Sequence, residues 1–114
     1  MTDTFDTGIL PHALDPERPL PLETPWGSFS LYVVHGRVHA AQSFCPHLEG
    51  PLFQGTLKGD VVMCPWHFWC FSLSSGKRVD FTGRVLASGA TIALLPVSLS
   101  PNGTIVLHPP KTST

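Results

Sequence analysis

The chain has 114 residues, 42% of them hydrophobic and 13% charged, with a formal net charge of −1 at pH 7. That length supports one domain, residues 1–114, and not two; the apolar content excludes a disordered chain, and the charge balance excludes a nucleic-acid binder that neutralises phosphates. Globular proteins average about 25% charged residues and about 5% proline, so a chain with 12 Pro and 10 Gly reads as short strands joined by tight turns, with no stretch near the roughly 18 apolar residues of a membrane anchor.

Residues 1–25 carry Asp3, Asp6, Asp15, Glu17 and Glu23 against Arg18, and Pro11, Pro16, Pro19, Pro21 and Pro25 interrupt any helix. They read as an N-terminal arm without a secretory signal, with a short strand at Leu20–Leu22. Ser28–Val34 is the first strong strand, with Phe29, Leu31 and Val33 on one face. His35-Gly36 is a turn, and Arg37–Gln42 returns as the hairpin partner. Phe44–Gly59, punctuated by Gly50, Pro51, Gly55 and Gly59, reads as a long ordered loop. Asp60–Cys64 is a short buried strand, Pro65–Trp69 a second loop, Cys70–Leu73 a strand and Ser74-Ser75-Gly76 a turn. Thr91–Val97 and Thr104–His108 are expected to close a last hairpin across Pro101-Asn102-Gly103, and residues 109–114 to fray. The pattern is all-β, with no amphipathic helix of three turns and two loops rising from the middle.

Those two loops hold the chemistry. The first reads Cys45-Pro46-His47 and the second Cys64-Pro65-Trp66-His67, so a C-x-H pair is followed sixteen residues later by a C-x-x-H pair. The chain has three cysteines, an odd number with no export signal, which favours metal or cofactor ligation over a disulfide framework. Two soft thiolates and two borderline imidazoles select zinc or an iron–sulfur cluster over magnesium or calcium. A structural Cys2His2 zinc site is the rival reading, but zinc spacings of that kind put a helix between the ligands and this sequence shows a Gly-rich loop.

The stretch CPHLEGPLFQGTLKGDVVMCPWHFWCFSLSSGK, Cys45–Lys77, resembles the cluster-binding segment of Rieske-type [2Fe–2S] proteins. The resemblance implies a β-sandwich base with a small cluster-binding subdomain over residues 44–76 that carries the two Pro/Gly-rich ligand loops. It also implies one [2Fe–2S] cluster per chain, with Cys45 and Cys64 on one iron and His47 and His67 on the other. Leu52, Gly55, Phe71 and Gly76 fall where the family places its usual Leu, Gly, aromatic and turn Gly. Glu49 and Phe68 depart from it, standing where the family commonly has Gly. Gly50 and Trp66 occupy the positions at which high-potential members carry a disulfide, and Phe68, Trp69 and Phe71 supply none of the hydroxyls those members place beside the cluster sulfurs. Hydrogen bonds to sulfur raise the potential, so the chain resembles the low-potential ferredoxin components of ring-hydroxylating dioxygenase systems, with an expected potential on the order of −150 mV.

Trp66 and Phe68, with Pro46 and Leu48, are expected to rim the histidine side, while Trp69 and Phe71 belong to the core. Cys70 reads as a buried, inert thiol, and His12, His35, His39 and His108 as surface or turn residues. No G-x-G-x-x-G follows a strand, and there is no second iron site of two His and a carboxylate. The expectation is a cytoplasmic electron carrier, not itself a catalyst, that takes electrons from a flavin-dependent reductase and passes them to a terminal oxygenase or another redox enzyme. A small Rieske-like subunit of a nitrite reductase or similar complex is the alternative within the same chemistry, and a zinc-stabilised interaction module the alternative outside it.

Overall fold

The computed structural model describes residues 4–46, 49–66, 68–86 and 90–110. Eleven short strands are found among them, arranged in three antiparallel sheets. Gly27–Val34 (β3) is the longest and sits between Leu20–Thr24 (β2) and Arg37–Gln42 (β4), with Leu31 facing Leu20 on one side and Ala40 on the other. The β3–β4 turn is His35-Gly36, and both residues have positive φ, 51° and 75°, as a two-residue type I′ hairpin needs. Pro21 lacks an N–H and stands in the edge strand β2, where a missing donor is tolerated. Leu94–Leu95 (β9) completes this sheet on the far side of β4.

Alternation along β3 feeds two cores at once. Phe29 and Leu31 pack with Leu14, Ala40, Leu95, Ile105 and Leu107. Tyr32 and Val34 point the other way, into a cluster with Ala41, Cys45, Leu52, Val62, Cys64, Phe71, Leu73 and Ile92. Phe29, Leu31 and Val33 share one face of this strand, as the alternation predicts; the opposite face is buried too, because the second core closes over it.

The first core is capped by a three-stranded sheet in which Ile105–Leu107 (β11) pairs with Phe5–Asp6 (β1) and Val97–Leu99 (β10). The last hairpin therefore differs from the sequence expectation. Leu94–Leu95 joins β4, and only the segment after Pro96 pairs with β11. Pro96 has no N–H to continue a ladder, so the chain changes sheets there.

The second core is covered by a four-stranded meander of Thr56–Lys58 (β5), Val61–Met63 (β6), Cys70–Ser72 (β7) and Arg78–Val79 (β8). Its strands are two or three residues long, and β5 lies inside the segment expected to be wholly irregular. The expected strands at Asp60–Cys64 and Cys70–Leu73 are present in shortened form, and the one at Leu20–Leu22 runs on to Thr24. Of the tail at 109–114, residues 111–114 lie outside the described residues. No helix of the described residues is long and apolar enough to cross a membrane.

Candidate metal centre

Two loops project from this meander, and they close in the same way. In the first, the Cys45 N–H donates to the Gly50 carbonyl at 2.8 Å and the Glu49 N–H to the Cys45 carbonyl at 2.8 Å. In the second, the Cys64 N–H donates to the Trp69 carbonyl at 2.7 Å. Each closure spans from a cysteine to the fifth residue beyond it, and in each the fourth residue is left-handed, Glu49 with φ 56° and Phe68 with φ 61°. These are the two positions at which the chain departs from the glycines of the family it resembles. The loop path demands positive φ whatever side chain stands there, so both residues hold a conformation that costs a non-glycine residue on the order of 1–3 kcal/mol.

The first loop is anchored to the base sheet at its root. Ser43 is fully buried, and its hydroxyl meets those of Ser28 at 2.9 Å and Ser30 at 2.8 Å, both in β3. The Ser43 N–H donates to the Ser28 carbonyl, and the Gln42 amide donates to the Phe44 carbonyl at 2.7 Å. On the far side, Leu52–Gln54 forms a 3-10 turn with Leu52 fully buried in the second core. Gly55 can be nothing else, since a Cβ there would lie 1.8 Å from the Met63 carbonyl oxygen.

Gly50 brings the loops together. A Cβ on it would lie 3.0 Å from Cys64 Sγ and 3.0 Å from the Trp66 ring, so the second loop rests directly on the first. Cys64 Sγ also accepts the Trp66 N–H at 3.4 Å.

Cys45 and Cys64 are 1% and 0% exposed and share the second core. His47 and His67 lie outside the described residues, as does Leu48. Trp66 and Phe68 are 49% and 69% exposed, whereas Phe71 is fully buried and Trp69 packs against the core. Cys70 is buried, its thiol contacts the Phe68 carbonyl at 3.7 Å, and burial pushes its pKa up, with Asp80 adding to the effect. It is a protonated packing residue.

Three features had no signal in the sequence pattern. The serine triplet is assembled by strand register and not by spacing. Arg78 lies with its guanidinium carbon 3.5 Å from the centre of the Trp69 ring, a contact made across paired strands. Phe81 is 70% exposed on a turn built around Asp80, whose carboxylate accepts from Thr82 and from the Arg84 N–H; these bonds hold the carboxyl below its ordinary range. Phe68 and Phe81 flank a groove of about 520 Å³ floored by Met63, Trp69, Val79 and Leu86.

The residues present fit an iron–sulfur group. Two thiols are buried at the meeting of two short loops, and a glycine leaves open the space beside one of them. The Tyr32 hydroxyl, in the same core, is buried with no hydrogen-bond partner among the described residues, and burial pushes its pKa up. A core this dry suits sulfur ligands better than the hydrated oxygen ligands of hard cations.

The chain belongs to the Rieske [2Fe-2S] domain family, whose description matches residues 12–88. The family implies a [2Fe–2S] cluster. The chain is 42% identical over 62 residues to human apoptosis-inducing factor 3, a match covering 54% of this chain and 10% of that protein; it spans about a tenth of that relative's length. Its fold resembles the ferredoxin of carbazole 1,9a-dioxygenase from Nocardioides aromaticivorans IC177, with a TM-score of 0.78 at 16% identity over 95% of this chain and 99% of that one. It also resembles a chain in the complex of reduced oxygenase and oxidized ferredoxin of carbazole 1,9a-dioxygenase, with a TM-score of 0.79 at 19% identity over 99% and 100% of the two chains.

Proposed function

We propose that this chain is a one-electron carrier with one [2Fe–2S] cluster, held by Cys45 and Cys64 on one iron and by His47 and His67 on the other. The observation that carries this reading is the pair of matching closed loops, which bury both thiols and lock across Gly50. When bound, the cluster supplies reversible one-electron chemistry. Cys45 and Cys64 fix the sulfur-ligated iron in a core from which water is excluded, where the Trp66 N–H offsets thiolate charge. Trp66 and Phe68 expose apolar surface beside the loops, which suits close approach of a partner without trapped water.

The proposed donor is a flavin-dependent reductase and the proposed acceptor a terminal oxygenase, with the carrier working in the cytoplasm. A ferredoxin-sized fold neighbour from an oxygenase–ferredoxin complex supports the acceptor. A second reading places the domain within, or firmly bound to, a larger redox protein, and it is favoured by the 42% identity to a much longer relative. Stable co-purification with a large subunit distinguishes it from a free shuttle.

Metal analysis of protein purified without air, with EPR after dithionite, tests the core of the proposal. Two irons per chain and a rhombic signal of low average g are expected. One zinc, no iron and no signal would leave a zinc-stabilised interaction module instead. His67→Cys is expected to keep a two-iron centre at a lower potential, because a thiolate replaces a neutral ligand.

A further inference from the structure

Arg78 is held in an unusual way for a cation. Its guanidinium carbon lies 3.5 Å from the centre of the Trp69 ring, and its Nε is buried with no hydrogen-bond partner among the described residues. Asp80, two residues along, turns its carboxylate toward Thr82 and the Arg84 N–H. The face of an indole attracts a cation but does not neutralise it. The charge therefore stands in a partly dried site; its field reaches the sulfur of Cys70, where the larger field of Asp80 opposes it.

The site adjoins the second loop. Trp69 supplies the carbonyl that closes that loop on the Cys64 N–H, and Arg78 pairs with Phe71 across β7 and β8. The indole also neighbours the tilted Phe71 ring, whose centroid is 6.4 Å away. An arginine serves here because its flat guanidinium stacks on a ring.

Two ferric ions, two sulfides, two thiolates and two neutral imidazoles carry no net charge together, and one added electron makes the sum minus one. A positive charge beside this loop would thus act on a neutral group before reduction and on an anion after it. We infer that Arg78, seated on Trp69, is a positioning residue that favours the reduced state and sets the potential upward. This rests on the electron-carrier reading.

The test compares Arg78→Met, Arg78→Gln and Arg78→Lys in the cluster-loaded protein by potentiometric titration followed by EPR, with melting temperatures alongside. Met and Gln are expected to lower the reduced-to-oxidised ratio at fixed ambient potential roughly three- to tenfold, tenfold being 59 mV for one electron. Lys keeps the charge and is expected to recover most of the ratio, even where lost stacking lowers the melting temperature. Unchanged ratios in Met and Gln, with lower melting temperatures, would overturn the inference and leave Arg78 a packing residue. Equal losses in all three variants would overturn it also, since loop geometry and not charge would then be responsible. Failure of the carrier reading is separate, because a wild-type chain without iron has no potential to shift.

Discussion

Glu49 and Phe68 are both left-handed and both exposed, so neither burial nor backbone preference accounts for them. What holds them is loop closure: a chain that must return its fifth residue to the cysteine N–H has to reverse at the fourth. Glu49→Gly removes this strain, and the gain exceeds glycine's greater loss of freedom on folding; a net stabilisation of about 0.5–1 kcal/mol is expected in chemical denaturation. Phe68→Gly is expected to stabilise by a similar amount, since a side chain 69% exposed loses little packing when removed. The two substitutions part in function. Glu49→Gly should leave the rate of reduction by a reductase unchanged, whereas Phe68→Gly should slow it several-fold if the exposed ring docks the partner. A destabilised Glu49→Gly protein would show that the glutamate side chain holds the loop by a contact of its own.

Between elements, the decisive contact is Gly50 of the first loop against Cys64 and Trp66 of the second. Gly50→Ala puts a methyl 3.0 Å from both, and because the buried sulfur and the indole cannot both yield, a loss of about 1–3 kcal/mol with reduced iron content is expected. Gly50→Ala combined with Trp66→Ala should recover part of that loss, so the two effects will not add in a double-mutant cycle. Strand β4 offers a pH test. Burial lowers the His39 pKa below its ordinary 6.5, Arg37 acts in the same direction and Asp60 opposes them. The folded state thus resists a proton that the unfolded chain accepts near pH 6.5, so stability falls as pH drops below about 6.5 and levels off once the folded pKa is passed. Wild type and His39→Gln, compared in denaturant between pH 8 and 5, should converge in the acid range relative to their difference at pH 8. Asp6 and Asp80 have lowered pKa values and act below that window, from about pH 3.8 downward.

The sequence made the two cysteine-bearing loops, the all-β class and the central hairpin legible, because each rests on local pattern: Cys-Pro with glycine punctuation, two-residue alternation, a turn dipeptide. It did not reveal β5 and β8, which are too short for alternation to register, nor the sheet exchange at Pro96, which depends on what β4 and β11 leave unpaired. Nor could it show that β3 is buried on both faces, since Ser30 and Tyr32 look like surface residues until Ser43 and the second core cover them. That double burial divides the molecule. The core of Leu14, Phe29, Leu31, Ile105 and Leu107 is made by sheet residues and the arm residue Leu14, whereas the other contains both cysteines and the meander of two- and three-residue strands. Strands so short hold few hydrogen bonds of their own, so on the proposed reading the second core leans on the cluster its thiols would hold. Removing the metal with a chelator under reducing conditions should therefore loosen the molecule unevenly. Amides of β5–β8 and of the closures at Cys45 and Cys64 are expected to lose hydrogen-exchange protection by about tenfold or more, roughly 1.4 kcal/mol of local stability. Amides of β3, β10 and β11 should keep most of theirs. Uniform loss across both cores would mean that the shared strand β3 transmits the change and that the protein unfolds as one unit; no loss in either would mean that the meander stands without its metal.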